Sequence, residues 1–151
     1  MNIIVQKFGG TSVSTEDRRK QVAIKVKEAI ENGFTPIVVV SAMGRKGQPY
    51  ATDTLLTLID DKFKETNRNS KDLLMCCGEI ISSVVVANAL YNEGIEAVPL
   101  TGGQAGIITD DNFCEAEYIS IDIDRLLSVV REGKVPVVTG FQGITKDGYF
   151  T

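Results

Sequence analysis

The sequence contains no histidine. That excludes histidine-based catalytic triads and histidine metal sites. Three cysteines are too few for a disulfide framework. Cys76 and Cys77 are adjacent and poorly placed to pair with each other, and Cys114 would be left over. Three scattered thiols do not make a zinc site, so no metal ligands are expected and the cysteines read as small core residues in a reducing compartment. The start lacks the basic-then-apolar layout of a secretory leader, since NIIVQ is too short. The longest apolar-rich run, Ile80–Leu90, is interrupted by serine and asparagine and falls short of a membrane span. A cytoplasmic location and no membrane partner are expected. The formal net charge of −4 provides no global field for nucleic acid or an anionic membrane. A local positive site for an anionic ligand is unaffected by that balance.

The familiar nucleotide signatures are absent too. There is no G-x-x-x-x-G-K-[ST], no G-x-G-x-x-G after the first apolar run, and no H-R-D or D-F-G pair. What is present is 151 residues, 43% apolar and 24% charged, enough for one domain with a sizeable core.

The β-branched run Asn2–Lys7 suits a strand buried on both faces. Ser14 and Thr15 precede Glu16 and Asp17, a helix start that runs to about Asn32, with Gly33 as its stop. Pro36–Val40 is a second strand, and Gly44–Tyr50 is a loop by composition. Thr52–Glu65 reads as a helix, Thr66–Ser70 as a break, and Asp72–Asn92 as a long helix ended by Gly94. Glu96–Leu100, Ile107–Thr109, Tyr118–Ile121 and Val135–Thr139 read as strands, and Asp122–Glu132 as a helix closed by Gly133. Alternating strands and helices give an α/β fold with a mainly parallel sheet, a three-layer sandwich over residues 1–151.

Four apolar strands run straight into small or hydroxylated residues: VQK into FGGTS, VVV into SAMG, VPL into TGGQAG, and VVT into GFQG. In an open parallel sheet those ends share one edge, where ligands bind. Each turn supplies backbone N–H groups and close approach. Any one of them is explained by glycine's ordinary use in turns; four together exceed what folding requires. Lys7, just before the double glycine, is either an edge lysine reaching water or a point charge for a transferring phosphoryl group. Glu79 lies inside an apolar helical pattern. It occupies either the helix's solvent face or a cavity, where it would hold a ligand ammonium or a metal. Thr52 and Asp53 stand at a loop-to-helix junction, where an N-cap and a first-turn acid are the plain readings.

Taken together, KFGGTSV (Lys7–Val13), VVVSAMG (Val38–Gly44), TD (Thr52–Asp53), GE (Gly78–Glu79), TGGQAGI (Thr101–Ile107) and VVTGFQG (Val137–Gly143) resemble the aspartate kinases of the amino-acid kinase superfamily. The resemblance implies transfer of the ATP γ-phosphoryl group to the side-chain carboxylate of L-aspartate, with Mg2+ accompanying the nucleotide. It implies that Lys7 stabilises the transferring phosphoryl and that Phe8, Gly9 and Gly10 line the phosphates. Ser41, Thr52 and Glu79 match positions that hold aspartate, Glu79 near its amino group. Two departures stand out: the Arg45–Ala51 loop is longer than in many relatives, and Gly103 replaces a usual Ser or Trp. The family's G-R-G-G-S-D segment, adenine-binding half and ACT domains lie beyond Thr151. The expectation is therefore an N-terminal lobe, inactive alone, with an exposed sheet edge that favours homo-oligomers. Another superfamily kinase, or a non-catalytic module binding a small ligand at the same edge, are the competing readings.

Overall fold

The computed structural model describes residues 1–151. The chain runs β1 (Ile3–Phe8), α1 (Glu16–Glu31), β2 (Thr35–Val40), α2 (Thr52–Leu55), α3 (Asp61–Thr66) and α4 (Arg68–Asn92). It continues through β3 (Ala97–Leu100), β4 (Ile107–Thr109), β5 (Tyr118–Ile121), α5 (Asp124–Arg131), β6 (Val135–Thr139) and β7 (Ile144–Thr145). Local chemistry sets the ends of α1. The Thr15 hydroxyl accepts the Arg18 N–H at 3.3 Å, and Glu16 and Asp17 sit near the positive end of the helix dipole. Gly33 ends the helix at φ +80°, where a side chain would be strained.

The main sheet has four parallel strands in the order β1-β2-β6-β3. The steps from β1 to β2 and from β2 to β3 cross the sheet one way; the step from β3 to β6 returns. Right-handed crossovers therefore put α1 and α4 on one face and α5 on the other. Packing agrees with that handedness. Val22 and Val26 of α1 and Val86 and Leu90 of α4 share one core with Val38, Val40, Val135 and Val137. Val129 and Val130 of α5 are buried outside that cluster. The expected α/β three-layer arrangement is what forms. A small second sheet, β5-β4-β7, extends beyond the main sheet's carboxyl edge, with β4 antiparallel to β5 and parallel to β7.

Several expectations are corrected. β1 is not buried on both faces, because it pairs only with β2 and is an edge strand; Val5 is 62% exposed. Thr52–Glu65 is not one helix. It breaks at Ile59 and Asp60, both extended, because aspartate favours a helix start over a helix interior. The break before α4 shrinks to Asn67, and α4 begins at Arg68. Of the cysteines, only Cys76 is a core residue; Cys114 is exposed, and all three are free. By length and composition α4 is apolar enough to cross a membrane, more so than the interrupted run Ile80–Leu90 suggests. Here its apolarity serves packing against the sheet and α1, and it buries Asp72 and Glu79.

Candidate functional site

The four strand ends meet at one edge; those of β1, β2 and β6 are tied together through the backbone, and that of β3 through the Thr139 hydroxyl. The Ser41 N–H donates to the Phe8 carbonyl at 3.1 Å, Gly44 to Gly10 at 2.9 Å, and Gly140 to Val40 at 2.8 Å. A Cβ at Gly10 would lie 2.5 Å from the Ala42 carbonyl oxygen and 2.8 Å from that of Gly44. Glycine at position 10 thus allows the first turn to close on the SAMG loop. A cavity of about 980 Å³ opens at this edge, lined by Gly10, Ser41, Thr52, Glu79, Phe141 and Gln142 among others.

Helix α4 forms the floor because Gly78 lets it approach. A Cβ there would lie 2.8 Å from the Ala42 Cβ and 3.3 Å from the Tyr50 carbonyl oxygen. The next residue, Glu79, is 7% exposed and lines the cavity, so the solvent-face reading falls. Burial pushes its carboxyl above the usual range. Its own backbone, the Ala42 N–H donating to Oε1 at 3.3 Å, and the Gln142 amide beside it work against that rise. Helix α2 has Ala51, not Thr52, at its cap position. Thr52 is the first helical residue and faces the cavity, followed by Asp53 as a first-turn acid. Ser41 and Gly10 complete that wall.

Lys7, Phe8 and Gly9 stand outside the cavity lining. Lys7 is exposed and pairs with no carboxylate; its Nζ sits 4.3 Å from the centroid of the Phe141 ring, which does line the cavity. The Phe8 side chain packs against the core, leaving only its backbone at the edge. Gly9 is exposed, and a Cβ there would meet no atom within 4 Å, so that side of the turn is open to a ligand.

Sequence reasoning missed four residues. Phe141 is 80% exposed and holds φ +58°, a conformation that only tertiary structure reveals. Gln142 and Thr139 are buried polar groups within VVTGFQG, where the glycines drew the attention. Asp72 is buried too, and its Oδ2 accepts the Cys114 N–H at 2.7 Å, which pins the β4–β5 loop to α4 and holds Cys114 at φ +70°. An Arg68–Glu115 ion pair at 3.2 Å reinforces that join. The Cys76 thiol is pushed up to about 12 by burial, with Glu79 and Asp72 adding negative potential, so it stays protonated and inert at neutral pH.

Comparison with known proteins places the sequence and the fold in a family. The family model described as "Amino acid kinase family" matches residues 2–151. Aspartokinase 1 of Bacillus subtilis is 49% identical over 148 residues, covering 98% of this chain and 37% of that protein. The chain thus spans little more than a third of the length of such a relative. The crystal structure of aspartate kinase from Synechocystis superposes with a TM-score of 0.70 at 37% identity, over 98% of this chain and 23% of that one. E. coli aspartokinase III, solved with aspartate and ADP, shares the fold at a TM-score of 0.76 and 19% identity, over all of this chain and 43% of that one. The chain belongs to the amino acid kinase family.

Proposed function

We propose that this chain is the N-terminal, amino-acid-binding lobe of an aspartate kinase. The parent enzyme would transfer the ATP γ-phosphoryl group to the side-chain carboxylate of L-aspartate, giving β-aspartyl phosphate. The observation that carries this reading is Glu79, a buried carboxylate aimed into the cavity at the carboxyl edge of the sheet. Such a group is costly unless a cation meets it, and a substrate ammonium supplies that cation. The aspartokinase relative at 49% identity supports the substrate class.

In this reading Glu79 binds the α-ammonium, while Ser41 and Thr52 offer hydroxyls to the rest of the amino acid. Lys7 neutralises charge on the transferring phosphoryl, and the open backbone of Phe8–Gly10 receives the phosphates. Positioning and charge stabilisation are most of what phosphoryl transfer asks of the protein. The unpaired Lys7 ammonium and the open side of Gly9 fit an anionic phosphate. No group of three Cys, Asp or Glu residues stands together to cage a metal. Magnesium would accordingly enter on the nucleotide phosphates, keeping several waters and neutralising their charge. The lobe alone would not turn over, because the proposal assigns the adenine site to a further part of the parent.

The test is calorimetric titration of the 151-residue chain with L-aspartate. Saturable binding that is weakened at least tenfold by Glu79→Gln is expected; equal affinity of the variant would refute the assignment. A hydroxamate assay with ATP and aspartate should read no turnover from the chain alone.

A further inference from the structure

Glu79 is held by more than its own helix. The Gly102 N–H donates to the Thr139 hydroxyl oxygen at 2.9 Å. The hydroxyl has one proton, and it goes to Gln142 Oε1 at 2.7 Å. The sense of the Gln142 amide is fixed at its other end, where the Cys76 carbonyl can only accept. Its Nε2 therefore faces that carbonyl, to which it donates at 2.8 Å, and stands beside the Glu79 carboxylate. Thr139 and Gln142 are 1% and 6% exposed, so water competes little for the bond between them.

The chain of bonds has a single workable direction. It begins at a backbone donor and ends at the Cys76 carbonyl, with the Glu79 carboxylate lining the same cavity beside the Gln142 amide. Reversing the Gln142 amide would set its oxygen against the Cys76 carbonyl oxygen and turn it toward the Glu79 carboxylate. On its other side Glu79 accepts the Ala42 N–H at 3.3 Å. Loops following β2, β3 and β6 thus all bear on one carboxylate.

We propose that Thr139 and Gln142 are positioning residues that orient the Glu79 carboxylate toward the cavity through a relay starting at the Gly102 amide. The relay stands on its own geometry; its bearing on ligand affinity rests on the reading of Glu79 as the ammonium site. Charged and titratable groups facing the same cavity are Asp72 and Cys76 from α4, Asp53 from α2, Arg45 and Lys46 from the β2–α2 loop, Cys114 and Glu115 from the β4–β5 loop, and Tyr118 from β5. None of these groups forms an ion pair with Glu79. Among side-chain groups, the neutral amide of Gln142 is therefore the one that biases it directly.

The test is a 13C NMR titration of the Glu79 side-chain carboxyl in the labelled 151-residue chain. Thr139→Val removes the hydroxyl at almost constant shape, and Thr139→Ser restores it. The expected result is an upward move of the Glu79 midpoint in Thr139→Val, a wild-type midpoint in Thr139→Ser, and an upward move in Gln142→Met. Combining Thr139→Val with Gln142→Met should add nothing to Gln142→Met alone, because Thr139 acts only through Gln142. A folded Thr139→Val chain with an unchanged midpoint, or a midpoint that serine does not restore, overturns the relay. Should Thr139→Val fail to fold, Gln142→Met decides by the same reading. Calorimetry with L-aspartate separates the two proposals. A roughly tenfold weaker Kd in Thr139→Val, the worth of about one charge-assisted hydrogen bond, supports both. A moved midpoint with unchanged Kd keeps the relay and refutes the ammonium site.

Discussion

Phe141 combines two costs that a loop residue ordinarily avoids: a left-handed backbone at φ +58° and a ring that is 80% exposed. The strain is worth about 1–2 kcal/mol for a non-glycine residue. Against it stands the Lys7 ammonium 4.3 Å from the ring centroid, worth about 0.5–1 kcal/mol at an exposed site. Replacing Phe141 with leucine keeps the strain and removes the π-face, so the chain should lose about 0.5–1 kcal/mol. Glycine removes the same contact but relieves the strain, at about 0.4–1 kcal/mol for the extra freedom of the unfolded chain. The two changes nearly cancel for glycine. Phe141→Gly should therefore melt close to wild type, with Phe141→Leu roughly 1–4 °C lower for a chain of this size. Thermal unfolding followed by circular dichroism measures the order. Ring-current displacement of the Lys7 ε-methylene protons, present in wild type and lost in both variants, reports the contact itself. If Phe141→Gly were the least stable of the three, or the Lys7 protons were undisplaced, the reasoning would fail. On the proposed reading of Lys7, this contact would hold its ammonium at the strand end ahead of the phosphate, at a cost in backbone strain.

Glu79→Gln tests the burial of charge. Burial raises the Glu79 carboxyl, so the stability of the protonated form is present below its ordinary value of 4.5 and lost as pH rises through the folded-state value. The glutamine variant should melt higher than wild type at pH 7, and the gap should close below the ordinary value; a pH-independent gap would contradict it. Gly106 and Gly133 form a matched pair with φ of +89° and +76°. A Cβ at Gly106 would collide with the Asp122 carbonyl oxygen, while one at Gly133 meets nothing within 4 Å. Urea denaturation should find Gly133→Ala about 1 kcal/mol less stable than wild type and Gly106→Ala at least about 3 kcal/mol less stable. Among the thiols, iodoacetamide should modify exposed Cys114 well before buried Cys76, whose thiol is pushed up to about 12; the reverse order, read by peptide mass spectrometry, would refute that placement.

Much of this was legible in the sequence because it is local. Thr15 with Glu16 and Asp17 marks where α1 starts, and Gly33, Gly94 and Gly133 mark where α1, α4 and α5 end, through short-range backbone and dipole chemistry. Alternation of strand and helix indicated an α/β fold with a mainly parallel sheet, and the strand order then decided which helices cover which face. It followed that four small-residue turns share an edge; that Ser41, Thr52 and Glu79 gather there was implied only by the family resemblance, and all three line the cavity.

What the sequence hid depends on neighbours distant along the chain. Burial of β1 was misread because a β-branched run looks the same in a central strand and at an edge, and strand order alone distinguishes them. Glu79 had two readings by helical spacing, solvent or cavity; the approach of α4 to Ala42 through Gly78 chose between them. The direction of the Gln142 amide was invisible as well, since it is set by one carbonyl on α4, 66 residues away. Propensity and pattern act over a few residues and determine the elements. The polarity of a buried site is decided where separate elements meet, because only there does each donor find its acceptor.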